Sequence, residues 1–189
     1  AGSFTGADED RPGILETLDG GTALLDDVQS LSLACQAKLL QAIDSGAIRR
    51  LGGTTPLRID VRFIFATSQD LAKAVADGSF RKDLYYRMRG LEISLPPLRE
   101  RKEDIPLLAR HFLEKHAARL ERPAPALDDG ALEALKAHDW PGNVRELEMI
   151  LLRALVNLSP GGALLPAHFE SLLQTADRAS RTASVPSRN

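Results

Sequence analysis

Short apolar runs that end in polar side chains recur in the first half of the chain, and this pattern predicts buried parallel strands. Residues 23–28, ALLDDV, place two carboxylates at the end of such a run, and residues 60–68, DVRFIFATS, end in small polar residues. Apolar residues at three- and four-residue spacing follow the first run, namely Leu33, Ala37, Leu40 and Ile43. A second helical pattern begins at Asp70. Alternating strands and helices predict an open α/β sheet that binds its ligand at the carboxyl edge of the strands.

The first predicted helix has clear boundaries and is followed by a predicted hairpin. Ser30 or Ser32 can cap its first turn, and Ser45-Gly46 ends it. Residues 48–51 and 57–59 flank a segment with Gly52, Gly53 and Pro56, which is typical of a β-hairpin.

The second half of the chain is predicted to be helical. Pro96-Pro97 ends the sheet region after residues 91–95, and helical spacing begins at Lys102. Three helices are indicated by their apolar positions: Ile105, Leu108 and Phe112; Leu132 and Leu135; and Val144, Leu147, Ile150, Leu151 and Leu155. Periodicity ends near Thr175. We therefore expect an α/β core over residues 1–98, a helical subdomain over 99–172 and a disordered linker or tail over 173–189.

Composition describes an ordinary globular protein. Of 189 residues, 43% are hydrophobic and 26% charged, and the formal net charge of -2 gives no overall electrostatic reason to expect nucleic-acid binding. The single cysteine, Cys35, lies in a helical pattern and is interpreted as a small buried residue rather than a reactive thiol. The four histidines lack metal-ligand spacing. No apolar run reaches the roughly 18 residues of a membrane span, so a cytoplasmic protein is expected.

Asp26 and Asp27 are the first candidates for chemistry. At the end of a buried strand, one carboxylate can hold Mg²⁺ while the other orients a water for attack on a phosphate. The alternative is a charge pair that interacts favourably with the dipole of the following helix. The pair alone leaves both interpretations open.

Three arginines form the second group of candidates. Arg81 and Arg87 are six residues apart, about 600° on a regular helix, so they would point to different faces. They are either solvated surface residues or ligands of a phosphate. Arg145 follows the turn Trp140-Pro141-Gly142-Asn143, in which Asn143 is predicted to cap a helix. The helix dipole disfavours a cation there, so Arg145 requires an anionic partner, either Glu146 or a nucleotide phosphate.

Five collinear segments together resemble the central AAA+ ATPase domain of bacterial enhancer-binding proteins, which activate sigma-54 RNA polymerase. GSFTGA, made of Gly2, Ser3, Phe4, Thr5, Gly6 and Ala7, is similar to the family's GAFTGA loop. GGTALLDDV resembles the Walker B strand GGTLFLDEI, and RFIFATSQDL resembles the sensor strand RIIAATNRDL. FRKDLYYRM with LPPLRERKEDIPLLA resembles the arginine-finger and linker region, and WPGNVREL matches the lid motif. The matches span about residues 1–172.

The resemblance implies a partial AAA+ three-layer α/β sheet followed by a small helical lid bundle. It implies ATP and Mg²⁺ as cofactors, with Asp26 as Mg²⁺ ligand, and assigns Asp27 and Ser68 to the catalytic centre. Arg81 and Arg87 match fingers that reach the neighbouring subunit's nucleotide in a ring, a hexamer or heptamer, and Arg145 matches the lid arginine that senses the nucleotide. Phe4 and Thr5 would touch sigma-54. DNA would be bound only through a separate domain, and some relatives are two-component response regulators.

Three departures from the family pattern affect catalysis. The residues contain no Gly-Lys pair, so the phosphate-binding loop is expected upstream and this chain alone is expected to bind ATP poorly. Asp27 stands in place of the family's water-activating Glu, and Ser68 replaces its sensor Asn. A carboxylate about 1 Å out of place can cost about a hundredfold in rate, so slow hydrolysis is the hypothesis. Two functions are therefore considered: an ATP-driven sigma-54 activator, and a non-catalytic AAA+ module that regulates by occupancy.

Overall fold

The structure, a computed structural model, describes residues 12–50, 53–159 and 161–183. The chain divides into two compact units with the boundary between Ile93 and Ser94. The first unit contains α1 (Ile14–Thr17), β1 (Thr22–Leu25), α2 (Leu33–Ser45), β2 (Ala47–Arg49), β3 (Pro56–Arg58), β4 (Arg62–Phe65), α3 (Leu71–Ala76) and α4 (Lys82–Met88). The second contains α5 (Ile105–Arg119), α6 (Asp129–Ala137), α7 (Asn143–Asn157) and α8 (Ala167–Ala183). This confirms an α/β region followed by a helical region.

The first unit is organised by the parallel pairing of β1 with β4. The register runs from Thr22 opposite Arg62 to Leu25 opposite Phe65. The connection between the two strands consists of α2 and the antiparallel pair β2 and β3, so the predicted hairpin is confirmed. Four buried side chains form the centre of this unit's core, supplied by α2, α3, α4 and the segment before α4: Leu39, Ala74, Phe80 and Leu84.

Helix α2 has the predicted ends. The Ser32 hydroxyl accepts a hydrogen bond from the Cys35 backbone N–H, which satisfies one of the unpaired donors of the first turn. Gly46 follows the helix with φ 57°, a left-handed conformation that glycine adopts at no steric cost.

The interpretation of Cys35 as a buried residue is wrong, because its side chain is exposed. The buried residues of α2 are Gln36, Leu39 and Ala42, so in the first turn the core position is taken by Gln36 rather than by Cys35. Leu33, which the apolar spacing also assigned to the core, is 50% exposed. Apolar spacing did not predict the buried face at the start of α2, because the residue buried there is the polar Gln36.

Residues 91–95 run across the boundary between the two units without forming a helix or strand. Leu91, Ile93 and Leu95 are 90%, 73% and 80% exposed, although they alternate as the residues of a half-buried strand do. No strand in the part of the chain described by the structure pairs with them. The alternating pattern therefore marks a segment whose apolar side chains are not covered by the described residues.

The second unit has one continuous hydrophobic core. Trp140 is a fully buried member of this core, and its indole Nε1–H donates to the Leu135 carbonyl at 2.8 Å. The guanidinium of Arg122 donates to the carbonyls of Leu155 and Leu158 at the end of α7. A cation at this position satisfies unpaired carbonyls and interacts favourably with the helix dipole.

Helix α8 continues through Ala183, whereas the sequence predicted a disordered segment from residue 173. The first part of α8 is fixed by Phe169, which is fully buried, and by Leu172, Leu173 and Ala176 packed against the same core. The following residues include several alanines and arginines, which have high helix propensity. Propensity therefore extends the helix beyond the point where the apolar spacing stops.

The charged cluster of the second unit predicts acid sensitivity. The Glu148 carboxylate accepts from Lys115 Nζ at 2.8 Å and lies 3.1 Å from His116 Nε2, and the pKa of Glu148 is lowered, mainly by the hydrogen bond from Lys115. A lowered pKa in the folded state contributes stability above about pH 4.3, the ordinary glutamate value, and this contribution is lost as the pH falls through the folded pKa. We expect Glu148→Gln to show a smaller loss of stability than the wild type between about pH 5 and pH 3.

The measurement is urea denaturation at several pH values, followed by the fluorescence of Trp140, the only tryptophan of the chain. Glu114→Gln, an exposed glutamate on α5, is the matched control and should keep the wild-type pH dependence. Identical acid sensitivity in wild type and Glu148→Gln would contradict the assignment.

Candidate functional site

The carboxyl ends of β1 and β4 bring together two of the predicted site segments. The Ala66 N–H donates to the Leu25 carbonyl at 2.8 Å, and the Val28 N–H donates to the Ala66 carbonyl at 3.1 Å. These bonds continue the parallel ladder beyond the strands and hold residues 26–29 beside residues 66–69. The carboxyl edge of a parallel sheet is where open α/β folds bind their ligands.

Asp27 and Ser68 are in direct contact at this edge. The Ser68 hydroxyl donates to Asp27 Oδ1 at 3.3 Å, although the two residues are 41 positions apart in the sequence. Asp27 has φ 51° and ψ 46°, a left-handed conformation that turns the chain directly after the strand. It precedes a single 3₁₀ turn, Val28–Ser30, and its side chain makes no capping bond to that turn. Helix α2, whose dipole the alternative interpretation of the charge pair invokes, begins at Leu33, six residues beyond Asp27, and a helix dipole acts mainly within the first turn.

Asp26 lies beside this contact with an exposed side chain. Its Oδ1 accepts from the Asp27 backbone N–H at 3.0 Å, which fixes the carboxylate at the strand end. Magnesium in nucleotide sites is held by one or two carboxylates together with phosphate oxygens and water, so an exposed, oriented carboxylate fits one position of such a site. The described residues contain no group of three or more His, Cys, Asp or Glu that could hold a metal ion.

Arg81 and Arg87 both lie at α4 and both are paired with aspartates of the first unit. Arg81 precedes the helix and forms two hydrogen bonds with Asp83, at 3.0 and 2.7 Å. These bonds raise the pKa of Arg81 and lower that of Asp83. Arg87 in the last turn of α4 forms an ion pair with Asp44 of α2 at 2.7 Å. The two guanidinium groups therefore have separate partners, as the six-residue spacing suggested.

A buried amide holds the segment that begins at Arg81. Gln36 is fully buried on α2, and its Oε1 accepts from the Arg81 backbone N–H at 2.8 Å. Its Nε2 donates to the carbonyls of Leu31 at 2.8 Å and Ser79 at 3.0 Å. One side chain thus connects α2 to the segment before it and to the segment between α3 and α4, and all three of these hydrogen bonds are made with backbone groups.

Arg145 belongs to the second unit, in the first turn of α7, with its side chain exposed. Of its two alternative partners, Glu146 is engaged elsewhere, because the Glu146 carboxylate accepts from the Gly142 backbone N–H at 2.8 Å. Within the described ranges no ion pair involves Arg145. It stays a candidate for binding an external anion.

The prediction that Asn143 caps α7 is wrong. Gly142 is the residue before the helix, and Asn143 begins it with φ 52°. The Asn143 side-chain oxygen instead accepts from the Leu98 backbone N–H at 2.8 Å. Its left-handed conformation directs the amide away from the helix end and towards the segment that precedes α5.

The predicted loop of Gly2, Ser3, Phe4, Thr5, Gly6 and Ala7 lies outside the described residues. Two residues that the sequence reading missed belong to the sites just described, namely Gln29, beside Asp27, and Gln36. A polar residue inside the apolar stripe of α2 was the available signal for Gln36. For Gln29 there was none, because its contacts depend on the pairing of β1 with β4. In the described parts of the chain, no helix has both the length and the apolar content to cross a bilayer.

Comparison with known protein families gives two matches. Residues 1–94 match the sigma-54 interaction domain, and residues 99–186 match the AAA+ ATPase lid domain. The two matches are consecutive and together cover most of the chain.

Individual proteins show the same similarity. The chain is 50% identical over 162 residues to the nitric oxide reductase transcription regulator NorR2 of Cupriavidus necator, covering 86% of this chain and 31% of that protein. It is 51% identical over 153 residues to the response regulator protein PilR of Pseudomonas aeruginosa, covering 81% and 34%. The chain thus spans about a third of the length of these relatives.

Solved structures with the same fold include NtrX from Brucella abortus. The complex with ADP has a TM-score of 0.81 and 28% identity, covering 94% of this chain and 42% of that chain. The complex with ATP has a TM-score of 0.81 and 30% identity, covering 89% and 39%.

The buried position of Gln36 predicts a large effect of its substitution. Gln36→Leu would leave one N–H and two carbonyls without their partner, and each such group costs about 1–3 kcal/mol when it stays buried. We expect a loss of about 2–4 kcal/mol in the free energy of unfolding of the first unit. Urea denaturation followed by far-UV circular dichroism measures it. Gln41→Leu, an exposed position of the same helix, should change stability by less than about 0.5 kcal/mol. Equal effects of the two substitutions would refute the role assigned to Gln36.

Proposed function

The chain belongs to the sigma-54 interaction domain family and continues into an AAA+ ATPase lid domain, and from this premise we propose that it is part of a sigma-54-dependent transcriptional activator. In this proposal, ATP binding and hydrolysis drive the remodelling of the closed complex of sigma-54 RNA polymerase. The observation that carries it is the strand-end site, where the Asp27 carboxylate and the Ser68 hydroxyl meet beside Asp26.

Nucleotide binding is supported by two independent features. The candidate residues lie at the carboxyl edge of the parallel strands, where open α/β folds bind ligands. NtrX, with the same fold, has been crystallised with ADP and with ATP. When bound, Mg²⁺ would supply charge neutralisation at the phosphates, with Asp26 as one of its ligands. Asp27 would orient the attacking water, and Ser68 would fix one oxygen of that carboxylate.

The arginines are proposed to act between subunits of a hexameric or heptameric ring. Arg81 and Arg87 would reach the nucleotide of the neighbouring subunit and stabilise the charge that develops on the transferred phosphate. Both are half exposed and paired with exposed aspartates, and surface pairs of this kind have low stability. Each arginine can therefore leave its aspartate, Asp83 or Asp44, and pair with a phosphate at a low cost in free energy.

Three further contacts are part of the proposal, with nucleotide, with sigma-54 and with DNA. Arg145 of the lid would bind the nucleotide phosphates, consistent with an exposed guanidinium in the first turn of α7. Phe4 and Thr5 would contact sigma-54, as the resemblance of their segment to the family's loop implies, since an aromatic side chain can act as an anchor for a partner. DNA would be bound by a domain outside these residues, and the protein would act in the cytoplasm.

Substitution of Asp27 tests the catalytic part of the proposal. In the full-length protein that carries this chain, we expect Asp27→Glu to raise kcat for ATP hydrolysis, by up to about a hundredfold, because the carboxylate would extend to the position that the family's Glu occupies. KM for ATP should change little, because Asp27 contacts the water rather than the nucleotide. Phosphate release measures both constants, and Asp60→Glu, at the opposite end of β4, is the matched control.

The outcomes separate the two candidate functions. Equal rates for wild type and Asp27→Glu would refute slow hydrolysis. Saturable binding of a fluorescent ATP analogue that is weakened by Arg145→Ala, together with no hydrolysis by any variant, would favour the non-catalytic module.

The loop at residues 2–7 generates a separate prediction. Phe4→Ala should weaken binding of the full-length protein to sigma-54 in the presence of an ATP analogue by about tenfold or more, as truncation of an aromatic anchor does. Fluorescence anisotropy with labelled sigma-54 measures this affinity. The same variant should bind the ATP analogue with wild-type affinity, which serves as its control. Unchanged sigma-54 affinity would exclude Phe4 as the anchor.

A further inference from the structure

Gln29 belongs to the strand-end network, and the proposed function gives it no role. We propose that Gln29 is a positioning residue for Asp27, an inference that rests on the proposed ATP hydrolysis at this site. Its side-chain amide bridges the ends of β1 and β4 and thereby fixes the orientation of the carboxylate that would direct the water.

The amide makes contacts with three side chains. Its Nε2 donates to Asp27 Oδ1 at 2.9 Å and lies 3.2 Å from Ser68 Oγ. Its Oε1 accepts from the Thr67 hydroxyl at 2.7 Å. Thr67 is itself oriented, because its hydroxyl oxygen also accepts from the Gln69 backbone N–H at 3.1 Å. Both ends of the amide are therefore held, and the group cannot rotate without breaking contacts to both strands.

The backbone of Gln29 is also fixed. Gln29 is the middle residue of the 3₁₀ turn Val28–Ser30, and it is half-buried. The turn is closed by the Ser30 N–H and hydroxyl, which both donate to the Asp27 carbonyl at 2.9 and 2.8 Å. A short hydrogen-bonded turn thus places the amide beside the carboxylate. Only the side-chain torsions of Gln29 then have to be ordered.

The network assigns different tasks to the two carboxylate oxygens of Asp27. Oδ1 accepts from Gln29 and from Ser68. In the described part of the chain Oδ2 accepts no hydrogen bond from another residue, so it is the oxygen available to a water. Fixing one oxygen in this way orders the other, and positioning of catalytic groups to within about 1 Å can decide about two orders of magnitude in rate.

An amide is the side chain that this position requires. It donates from one end and accepts from the other, and it carries no charge beside Asp27. Glutamate has the same length, but in its ionised form it would present an acceptor and a negative charge to Asp27 Oδ1. The two carboxylates would then repel each other, and the contact to Asp27 Oδ1 would be lost.

The test uses ATP hydrolysis by the full-length protein with three variants. Gln29→Ala should lower kcat by about tenfold to a hundredfold while KM for ATP stays within about twofold, because the carboxylate loses its orientation and the nucleotide loses no contact. Gln29→Glu should show a similar loss at pH 8, because it presents an acceptor where the Asp27 carboxylate needs a donor. Gln41→Ala on the exposed face of α2 is the matched control.

The possible results distinguish the positioning role of Gln29 from the proposed ATP hydrolysis itself. Hydrolysis by wild type with unchanged kcat in Gln29→Ala would overturn the positioning role and leave the proposed function standing. A loss in kcat matched by an equal gain in KM would also overturn it, because a merely structural residue would give that result. Absence of hydrolysis by wild type would overturn the proposed function and this inference together.

Discussion

The parallel pairing of β1 with β4 is the constraint on which the candidate site depends. It joins segments that lie about forty residues apart, and the two bonds between Leu25, Ala66 and Val28 extend it past the ends of the strands. Asp26 and Asp27 have no local reason to be close to Ser68, since the pair follows β1 and Ser68 follows β4. The hydrogen-bonded ladder of the two strands brings these residues together. The side-chain hydrogen bonds then stabilise an arrangement that the backbone pairing has set.

A second constraint acts on the arginines through the interior of the first unit. The Gln36 amide fixes the backbone at Ser79 and Arg81, so the start of α4 is positioned relative to α2 by a buried group. The guanidinium groups themselves are held only by exposed aspartates. The backbone that carries these arginines is thus rigid, whereas their charged ends can exchange partners at low cost. This division suits residues proposed to act on another subunit.

Much of the fold followed from the sequence, because the strands and helices of this chain obey simple periodicities. The two ends of α2 could also be predicted, because the capping hydroxyl of Ser32 and the left-handed conformation of Gly46 each have a local chemical cause. Cys35 and Asn143 were misread because their surroundings are set by distant contacts, with the core face of α2 in one case and the backbone of Leu98 in the other. The end of α8 was missed because it depends on propensity rather than on apolar spacing.

The site shows the same division between local and distant information. Asp26, Asp27 and Ser68 could be named from strand ends and from family resemblance. The contacts that connect them could not, because Gln29 meets Thr67 and Ser68 only after the sheet has formed. A polar side chain in a short turn has many possible partners, and its sequence neighbours do not indicate which one it will meet.

The left-handed backbone at Asp27 has a consequence for the evolution and engineering of this chain. A residue with a side chain costs on the order of 1 kcal/mol at φ 51°, whereas glycine occupies that region freely. Selection for thermal robustness alone would thus favour glycine at this position, and glycine has no carboxylate. Stability and chemistry therefore compete at a single residue, and a stabilised form of the domain would be obtained most easily by erasing the group on which the proposed catalysis depends.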